Sequence, residues 1–515
     1  MGLTVEVSIP PLHIGLIVDS WPPTVWQSRL YHKLARLGTV SLLTHQERPA
    51  GPWLWSQLAG RVPALTRSDD CLKVEHVSGM EAALGWCQRA EMDLVIDGTA
   101  SRPLGMEPPS FRLGLWSLRQ NDGRAVGANY AYLDEIARPE PQPSINLVRD
   151  DTSVLISAYP QVKRGHYLTA LDRLLDIAAS LPVQALSTRG PGQPWLPQPT
   201  RPANPVKALV RAARLMLWDR WRNLTSSEAW VIGLIDKPIE AVHAADLNSE
   251  VHWIGPWDNR RYWADPFGIA GDATRILCEE VHHDHPTGIL KELTLGTSLQ
   301  VVAERQLEVG LAGHLSYPFI FVSDGESYCV PESIAAGRVV IHRAGAAGTE
   351  WRPYCLALDG VRAADPTLFV HGGLFWMAYS DYGMGSEDTL CLAWANSIAG
   401  PWRQHRLNPV KIDVRSARPA GTPFVRNGML LRPAQDCSRT YGGAIAINRI
   451  DVCTPDAFTE ETVEVLRPQP ASPASHGLHT LSAWGNRTLI DGKREWINPW
   501  VVRHKIRRKL GLVAA

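Results

Sequence analysis

One short phrase recurs five times between Trp263 and Lys493, and a recurrence at this period leaves few folds open. The copies begin Asp265-Pro266-Phe267, Tyr317-Pro318-Phe319, Asp365-Pro366-Thr367, Thr422-Pro423-Phe424 and, in a worn form, Leu478-His479-Thr480. Each runs into an apolar stretch, a Gly- or Asp-containing turn and a second apolar stretch. That second stretch ends in an acid: Glu279 and Glu280, then Glu332, Asp381, Asp436 and Asp491. Counted from the proline, or from His479 in the last copy, the units start 52, 48, 57 and 56 residues apart. Short strands at that period are propeller blades rather than helical solenoid repeats. Five copies predict an all-β five-bladed propeller over residues 228–495. Trp230 to Ile235 precedes the first copy and reads as the outer strand that completes the last blade, because ring closure removes exposed sheet edges.

Blade geometry gives the repeat a chemical meaning. The first strand of every blade lines the central channel, so equivalent positions converge on one funnel. Asp265 and Asp365 share one position. Glu332, Asp381 and Asp436 are expected to share a second, near the end of the next strand. Carboxylates that close push their pKa values apart, which gives one site both a protonated acid and an ionised base. The competing reading is that these acids accept backbone N–H groups at blade corners.

Bulk properties exclude some classes. With 52 Lys and Arg against 52 Asp and Glu the formal net charge is zero, which gives no electrostatic case for nucleic acid. Twenty Trp against eight Phe supplies side chains suited to stacking on sugar rings, or to packing between blades. The eight cysteines form no C-x-x-C pair, so reduced thiols are expected rather than a disulfide framework or a zinc site. Met1 to Val18 lacks a basic leader with a long apolar run, and no segment reaches about 18 uninterrupted apolar residues, so a soluble cytoplasmic protein is expected.

Residues 1–187 alternate short strands and helices. Ile14 to Asp19, Val40 to Leu43, Leu94 to Gly98 and Leu113 to Trp116 read as strands and Thr24 to Leu37 as a helix, an α/β pattern with a largely parallel, Rossmann-type sheet. No G-x-G-x-x-G follows the first strand, so a dinucleotide site has little support and no cofactor is expected. Six prolines between Pro191 and Pro205 mark an extended connection within residues 188–227. Pro205 then opens a helix to about Leu224 with Val206, Leu209, Val210, Ala213, Leu217 and Trp221 on one side and Lys207, Arg211, Arg214, Arg220 and Arg222 as its charge. Such a helix packs between domains or lies on an anionic membrane surface. The basic tail in residues 496–515, Arg503 to Lys509, raises the same membrane question.

The phrases Trp263-Ala264-Asp265-Pro266-Phe267, His314 to Phe319, Pro331-Glu332-Ser333, Ala364 to Phe369, and Arg432 to Ser438 followed by Tyr441-Gly442 form an ordered set. The set closely resembles the N-terminal propeller domain of the glucosamine inositolphosphorylceramide transferase family of plants and its bacterial relatives. The resemblance implies a layout similar to glycoside hydrolase family 43, whose funnel carboxylates act on a glycosidic bond. Transfer in that family is attributed to a separate C-terminal domain, so what carries over is carbohydrate or glycolipid handling. The implied partners are a sugar or glycolipid substrate and a separate glycosyltransferase. Residues 1–187 resemble the degenerate formyltransferase-like domain that precedes this propeller, through Ile14 to Trp21, Asp93 to Gly98 and Phe111 to Gln120. The stretch matching the formyltransferase His reads Trp116-Ser117-Leu118-Arg119-Gln120, with no His, so formyl transfer is expected to be absent.

Cleavage or transfer at a glycosidic bond needs one carboxylic acid to protonate the leaving oxygen and one carboxylate as base or nucleophile. Asp265, which opens the first channel strand, is the expected base or nucleophile. Glu332, beside Pro331 and an apolar run, is the expected acid, and Asp365 orients the sugar or tunes that acid. Glu279, His314, Tyr317, Asp381, Arg432, Gln435, Asp436 and Tyr441 are the expected substrate contacts, with Arg432 suited to a phosphate or carboxylate, or else to an ion pair with Asp436. Cys278 to His285 holds three His and several acids, but their spacing fits no standard ligand pattern and no metal is assigned. An enzyme, a non-catalytic glycan-binding module and a scaffold all remain open from the residues alone.

Overall fold

The computed structural model describes residues 12–19, 23–44, 73–100, 109–128, 130–188, 192–198, 204–248, 250–256, 260–283, 285, 287–345 and 350–509. The chain forms two compact units, Met1–Met216 and Leu217–Ala515, and the division falls inside one helix, Pro205–Thr225.

The first unit is built on an eight-stranded sheet. Lys73–His76, Gly38–Thr44, Leu12–Val18, Leu94–Asp97 and Leu115–Arg119 lie side by side and parallel. Ile145–Arg149, Ser153–Ala158 and Gln193–Pro194 extend one edge antiparallel, so the sheet is mixed. The parallel strands are near-continuous apolar runs because both faces are covered; Ile17, Leu43 and Val95, for example, pack on Ala83, Leu84 and Cys87 of the helix Met80–Arg89. Pro194, expected in an extended connection, sits in the edge strand, where a missing N–H is tolerated. Trp21, Cys71, Pro191, Pro199, Pro202 and Asp284, and the tail beyond residue 509, lie outside the described residues.

The second unit holds five antiparallel sheets of four or five strands. Blade 1 is Arg261–Gly268, Arg275–His282, Ile289–Leu295 and Val301–Gln306. Blades 2, 3 and 4 open with the inner strands Ser316–Ser323, Ala363–His371 and Phe424–Arg426, followed by Glu326–Glu332, Leu374–Asp381 and Met429–Asp436. Blade 5 joins both ends of the repeat region, in the order Gly477–Trp484, Arg487–Ile497, Ser226–Ile235 and Val251–Ile254. The expected closing segment is therefore the third strand of the blade and not its outer one. The register Asp491↔Ile232 and Lys493↔Trp230 leaves Ser226–Ile235 paired on both sides, and Val251–Ile254 takes the edge.

Apolar clusters fill the spaces between blades; one joins Phe319, Val330 and Ile341 of blade 2 to Leu368, Met377 and Cys391 of blade 3. Trp263, Trp376 and Trp484 are buried in this packing. The seven described cysteines are free thiols.

The opening phrase of the repeat is a β-bulge. The ladder runs Ala264↔Glu279 then Phe267↔Leu277, Ser316↔Glu332 then Phe319↔Val330, Ala364↔Ser380 then Thr367↔Ala378, and Leu478↔Gly492 then Leu481↔Ile490. In each case two inner-strand residues oppose one on the next strand, which bends the strand and re-aims the first of the pair. Asp265, Tyr317 and Asp365 hold left-handed backbone there, with φ of 51°, 45° and 49°. Asp tolerates that region, whereas a Tyr there is strained and must be held by its surroundings.

Candidate active site

The bulges bring the opening residues of distant blades together around the axis. Gly421 donates its N–H to the Tyr317 hydroxyl at 2.6 Å, the Tyr317 and Thr367 hydroxyls lie 2.8 Å apart, and Thr367 donates to the Asp365 carbonyl at 3.0 Å. This relay crosses three blades and fixes the bulge that carries Asp365. Gly421 sits at φ 117° with no room for a Cβ against the Leu481 backbone, so only glycine admits the approach. Tyr317, expected to contact substrate, is fully buried and spends its hydroxyl on this frame.

Two acids latch one blade to the next. Glu332 of blade 2 accepts the Asp365 N–H of blade 3 at 2.9 Å. Asp491 of blade 5 accepts the Asp265 N–H of blade 1 at 2.9 Å and the N–H groups of His479 and Thr480 at 3.1 and 2.9 Å. The backbone role weighed for such acids is thus real at both positions, yet their charges still face a shared interior.

Asp265, Glu279, Glu332, Asp365 and Asp491 are all buried, against two cations, Arg418 and His479. Arg418 grips Asp365 through two nitrogens at 2.6 and 3.2 Å and lies 3.8 Å from Glu332. Gln435 donates to the same Asp365 oxygen at 2.8 Å. His479 meets Asp491 at 2.6 Å through Nδ1 and Asp265 at 3.6 Å through Nε2, and the Thr480 hydroxyl donates to Asp265 at 2.8 Å.

The excess of acids sets the protonation pattern. Burial and then the Asp365 charge push Glu332 up to about 8, and a hydrogen bond to the Asp365 carboxyl favours its protonated form. Burial pushes Asp265 up to about 6, with Asp491 and Asp365 adding to the rise and His479 opposing it. Burial and the Asp265 and Glu332 charges hold Glu279 well above the usual carboxylate range. Burial alone would lower His479, but Asp491 and Asp265 carry it above its ordinary value.

Glu279 is reached by His314 Nε2 at 3.2 Å, while His314 Nδ1 accepts the Gly288 N–H at 2.8 Å. With Nδ1 accepting, the proton sits on Nε2 and points at Glu279. Tyr441 is held through its carbonyl by the buried Lys493 at 2.7 Å, and its ring lies 5.1 Å from the Arg418 guanidinium. Trp230 stacks on His479 with ring centroids 3.7 Å apart. Tyr382, 40 % exposed, has its pKa raised by burial and by the Glu332 and Asp365 charges and lowered by Arg418, which places it at the open side of the cluster.

Three expected contacts are directed elsewhere. Ladder register makes Glu279 and Ser380, not Asp381, the counterparts of Glu332; Asp381 lies one residue further, opposite Ala363, and accepts the Gly383 N–H at 2.7 Å. Asp436 takes the Ser438 N–H and hydroxyl at 3.0 and 2.6 Å in a corner turn. Arg432 is buried against Glu460 at 2.6 and 2.9 Å and bonds the Ser416 and Ala417 carbonyls, leaving it no fork for a phosphate. Its partner is Glu460, not Asp436.

The Cys278 to His285 segment disperses. Cys278 enters the core, Glu279 the funnel, Glu280 pairs with Arg261 and Lys291, and His283 lies against the Tyr262 and Trp496 rings. Among the described residues, Asp265, His479 and Asp491 offer ligand atoms within 4.8 Å of one another. In this arrangement His479 Nδ1 meets Asp491 at 2.6 Å and Nε2 faces Asp265 at 3.6 Å, so the three groups form an acid–imidazole–acid array.

Arg418, His479, Trp230, Tyr382 and Lys493 are site or supporting residues that sequence reasoning missed. His479 carried a signal, since the fifth copy exchanges Asp-Pro for His-Thr and so puts a cation in the acidic ring. Arg418 carried none beyond lying four residues ahead of the fourth copy.

A family model described as glucosamine inositolphosphorylceramide transferase 1, N-terminal, matches residues 295–478, inside the propeller. Glucosamine inositolphosphorylceramide transferase 1 of Oryza sativa subsp. indica is 31% identical over 211 residues, covering 39% of this chain and 28% of that protein. Its counterpart from Arabidopsis thaliana is 30% identical over 211 residues, covering 39% and 27%. Among solved structures, a family 117 glycoside hydrolase of Zobellia galactanivorans aligns with TM-score 0.32 and 14% identity over 45% of this chain and 85% of that one. An exo-β-1,3-galactanase from Clostridium thermocellum aligns with TM-score 0.30 and 8% identity over 42% and 55%. The propeller is thus similar in sequence to an N-terminal domain of these transferases, and the chain spans about 28% of the length of the first of them.

Proposed function

We propose that the propeller funnel binds and acts on a glycoside. Glu332 is the acid that protonates the leaving oxygen, Asp265 the base or nucleophile, and Asp365 the carboxylate that orients the sugar and tunes Glu332. The observation that carries this reading is the division of protons within one buried cluster. Glu332 reaches about 8 and Asp265 about 6, while Asp365 is clamped by Arg418. At neutral pH the first is protonated and the second largely ionised, the pairing that glycosidic chemistry requires. Glu279, Gln435, Tyr441 and Tyr382 supply contacts to hydroxyls. The similarity to glucosamine inositolphosphorylceramide transferases adds an amino sugar or glycolipid headgroup as the substrate class, and an ammonium group suits a pocket with five acids and two cations.

The test is turnover by the full chain on a panel of aryl glycosides and glucosaminyl inositol phosphates. Activity is expected between about pH 6 and about pH 8, with the acid limb following Asp265 and the alkaline limb Glu332. Full activity of both Asp265→Asn and Glu332→Gln would remove the enzymatic reading.

One observation favours a second reading, a glycan-binding module that assists a separate glycosyltransferase. Each of the three acids already holds a protein group: Thr480 on Asp265, the Asp365 N–H on Glu332, and Arg418 on Asp365. Calorimetric sugar binding without product identifies this case. For the first unit, we read the formyltransferase likeness as a fold without formyl transfer, since the stretch Trp116 to Gln120 that matches the family's His has none, and its buried Arg119 stands 3.5 Å from Asp97 and 3.9 Å from Asp151.

A further inference from the structure

The helix Pro205–Thr225 buries only Ala208 and Ala212 among its apolar side chains. Leu215, Met216 and Leu224 are half-buried, but Val206, Val210, Leu217 and Trp221 stand in solvent at spacings of four, seven and four, a single stripe along the helix, and Trp218 lies beside it. Leu217 is 66 %, Trp218 54 % and Trp221 52 % exposed, and the two indoles lean together with centroids 5.2 Å apart. A run of bare Leu and Trp on one helix is not the ordinary scatter of single surface hydrophobics.

The charge around it has one sign. From Pro205 to Thr225 the helix carries five basic residues and a single acid, Asp219. The C-terminal helix Pro499–Lys509 comes to its end, where the Lys505 ammonium donates to the Asn223 and Ser226 carbonyls at 2.9 and 2.8 Å. That helix adds exposed Arg503, Ile506 and Arg507 and has no acid. The propeller, residues 228–495, has the opposite balance, with 23 Lys and Arg against 32 Asp and Glu.

From this structure we infer that the end of the Pro205–Thr225 helix and the helix Pro499–Lys509 form a docking surface for an anionic lipid bilayer. Trp218 and Trp221 seat at the headgroup level, Leu217 and Ile506 enter the acyl boundary, and Arg220, Arg222, Arg503 and Arg507 meet lipid phosphates. Trp is the side chain whose apolar body and N–H suit that boundary, and basic residues rimming an apolar stripe are the pattern of a helix lying in the interface plane. No helix among the described residues is long and apolar enough to cross a membrane, so the contact is one of surface seating. The inference is independent of what the funnel does.

The test is co-sedimentation of the full chain with vesicles of phosphatidylcholine alone and of phosphatidylcholine with about 30% phosphatidylserine. Binding is expected to the anionic vesicles only. It should weaken when salt rises from about 0.1 M to about 1 M, which shortens the screening length from about 10 Å to about 3 Å. Both L217S/W218S/W221S and R220Q/R222Q/R503Q/R507Q should lose at least about tenfold in partitioning, with melting temperatures little changed because all of these side chains but the half-buried Arg222 are exposed. Failure of the parent chain to sediment with anionic vesicles, or equal partitioning by both variants, overturns the inference. So does a lipid-free dimer that L217S/W218S/W221S dissolves, because the stripe is then a contact between copies.

Discussion

Glu332 and Asp381 end corresponding strands in neighbouring blades, and one residue of register separates their fates. Glu332 stands opposite Ser316, just before the bulge, and joins the buried ring of acids. Asp381 stands opposite Ala363, one step earlier on its ladder, and caps a turn. A strand alternates its side chains between faces, so a shift of one moves a charge from the shared interior to a corner. The lesson is that equal spacing along a repeat does not make acids equivalent; ladder partners do.

The largest test of that contrast is catalytic. Glu332→Gln should lower turnover by about 10²–10⁴-fold, the range of a lost general acid, whereas Asp381→Asn should leave it unchanged in the same assay. Equal losses would mean that the register distinction has no functional content.

A second contrast sets a balanced buried pair against an acid-rich one. Arg432 pairs with Glu460 away from the funnel, with Lys411 as a second cation 2.8 Å from the same carboxylate, so Arg432→Met should cost about 3 kcal/mol in urea unfolding, the low end for a broken buried pair, without altering sugar binding. Loss of binding by a variant that remains folded would return Arg432 to the site.

The acid-rich cluster should also be read in the pH dependence of stability. Glu332 rises from 4.5 to about 8 on folding and Asp265 from 3.8 to about 6, so the folded state binds protons that the unfolded state releases. Their neutral forms are fully compatible with the fold below about pH 4, and stability falls as pH climbs through the interval up to about 8. His479, also raised, acts in the same direction, because its charge is lost as pH passes its folded value. The combined loss should be on the order of a few kcal/mol, and Glu332→Gln should flatten the slope above about pH 6. A slope of opposite sign in melting temperature would refute the protonation pattern. The smallest effect belongs to the corner: Asp381→Asn should cost about 1 kcal/mol in urea unfolding, one turn hydrogen bond.

Much of this was legible in the chain itself. A phrase repeated every 48 to 57 residues can bury its apolar stretches only against copies of itself, which is why the number of blades could be read from the sequence. Which acids share a pocket could not be read, since a bulge inserts one residue into a ladder and leaves no mark in spacing. The placement of Arg432 on Glu460 and of Arg418 on Asp365 was decided by three-dimensional packing, because both arginines look alike in sequence and only burial beside a specific carboxylate tells them apart. The sequence by itself determined the ring and its store of acids. Tertiary structure alone decided which of them face one another and so which hold a proton, because desolvation and mutual repulsion depend on distances that no linear order contains.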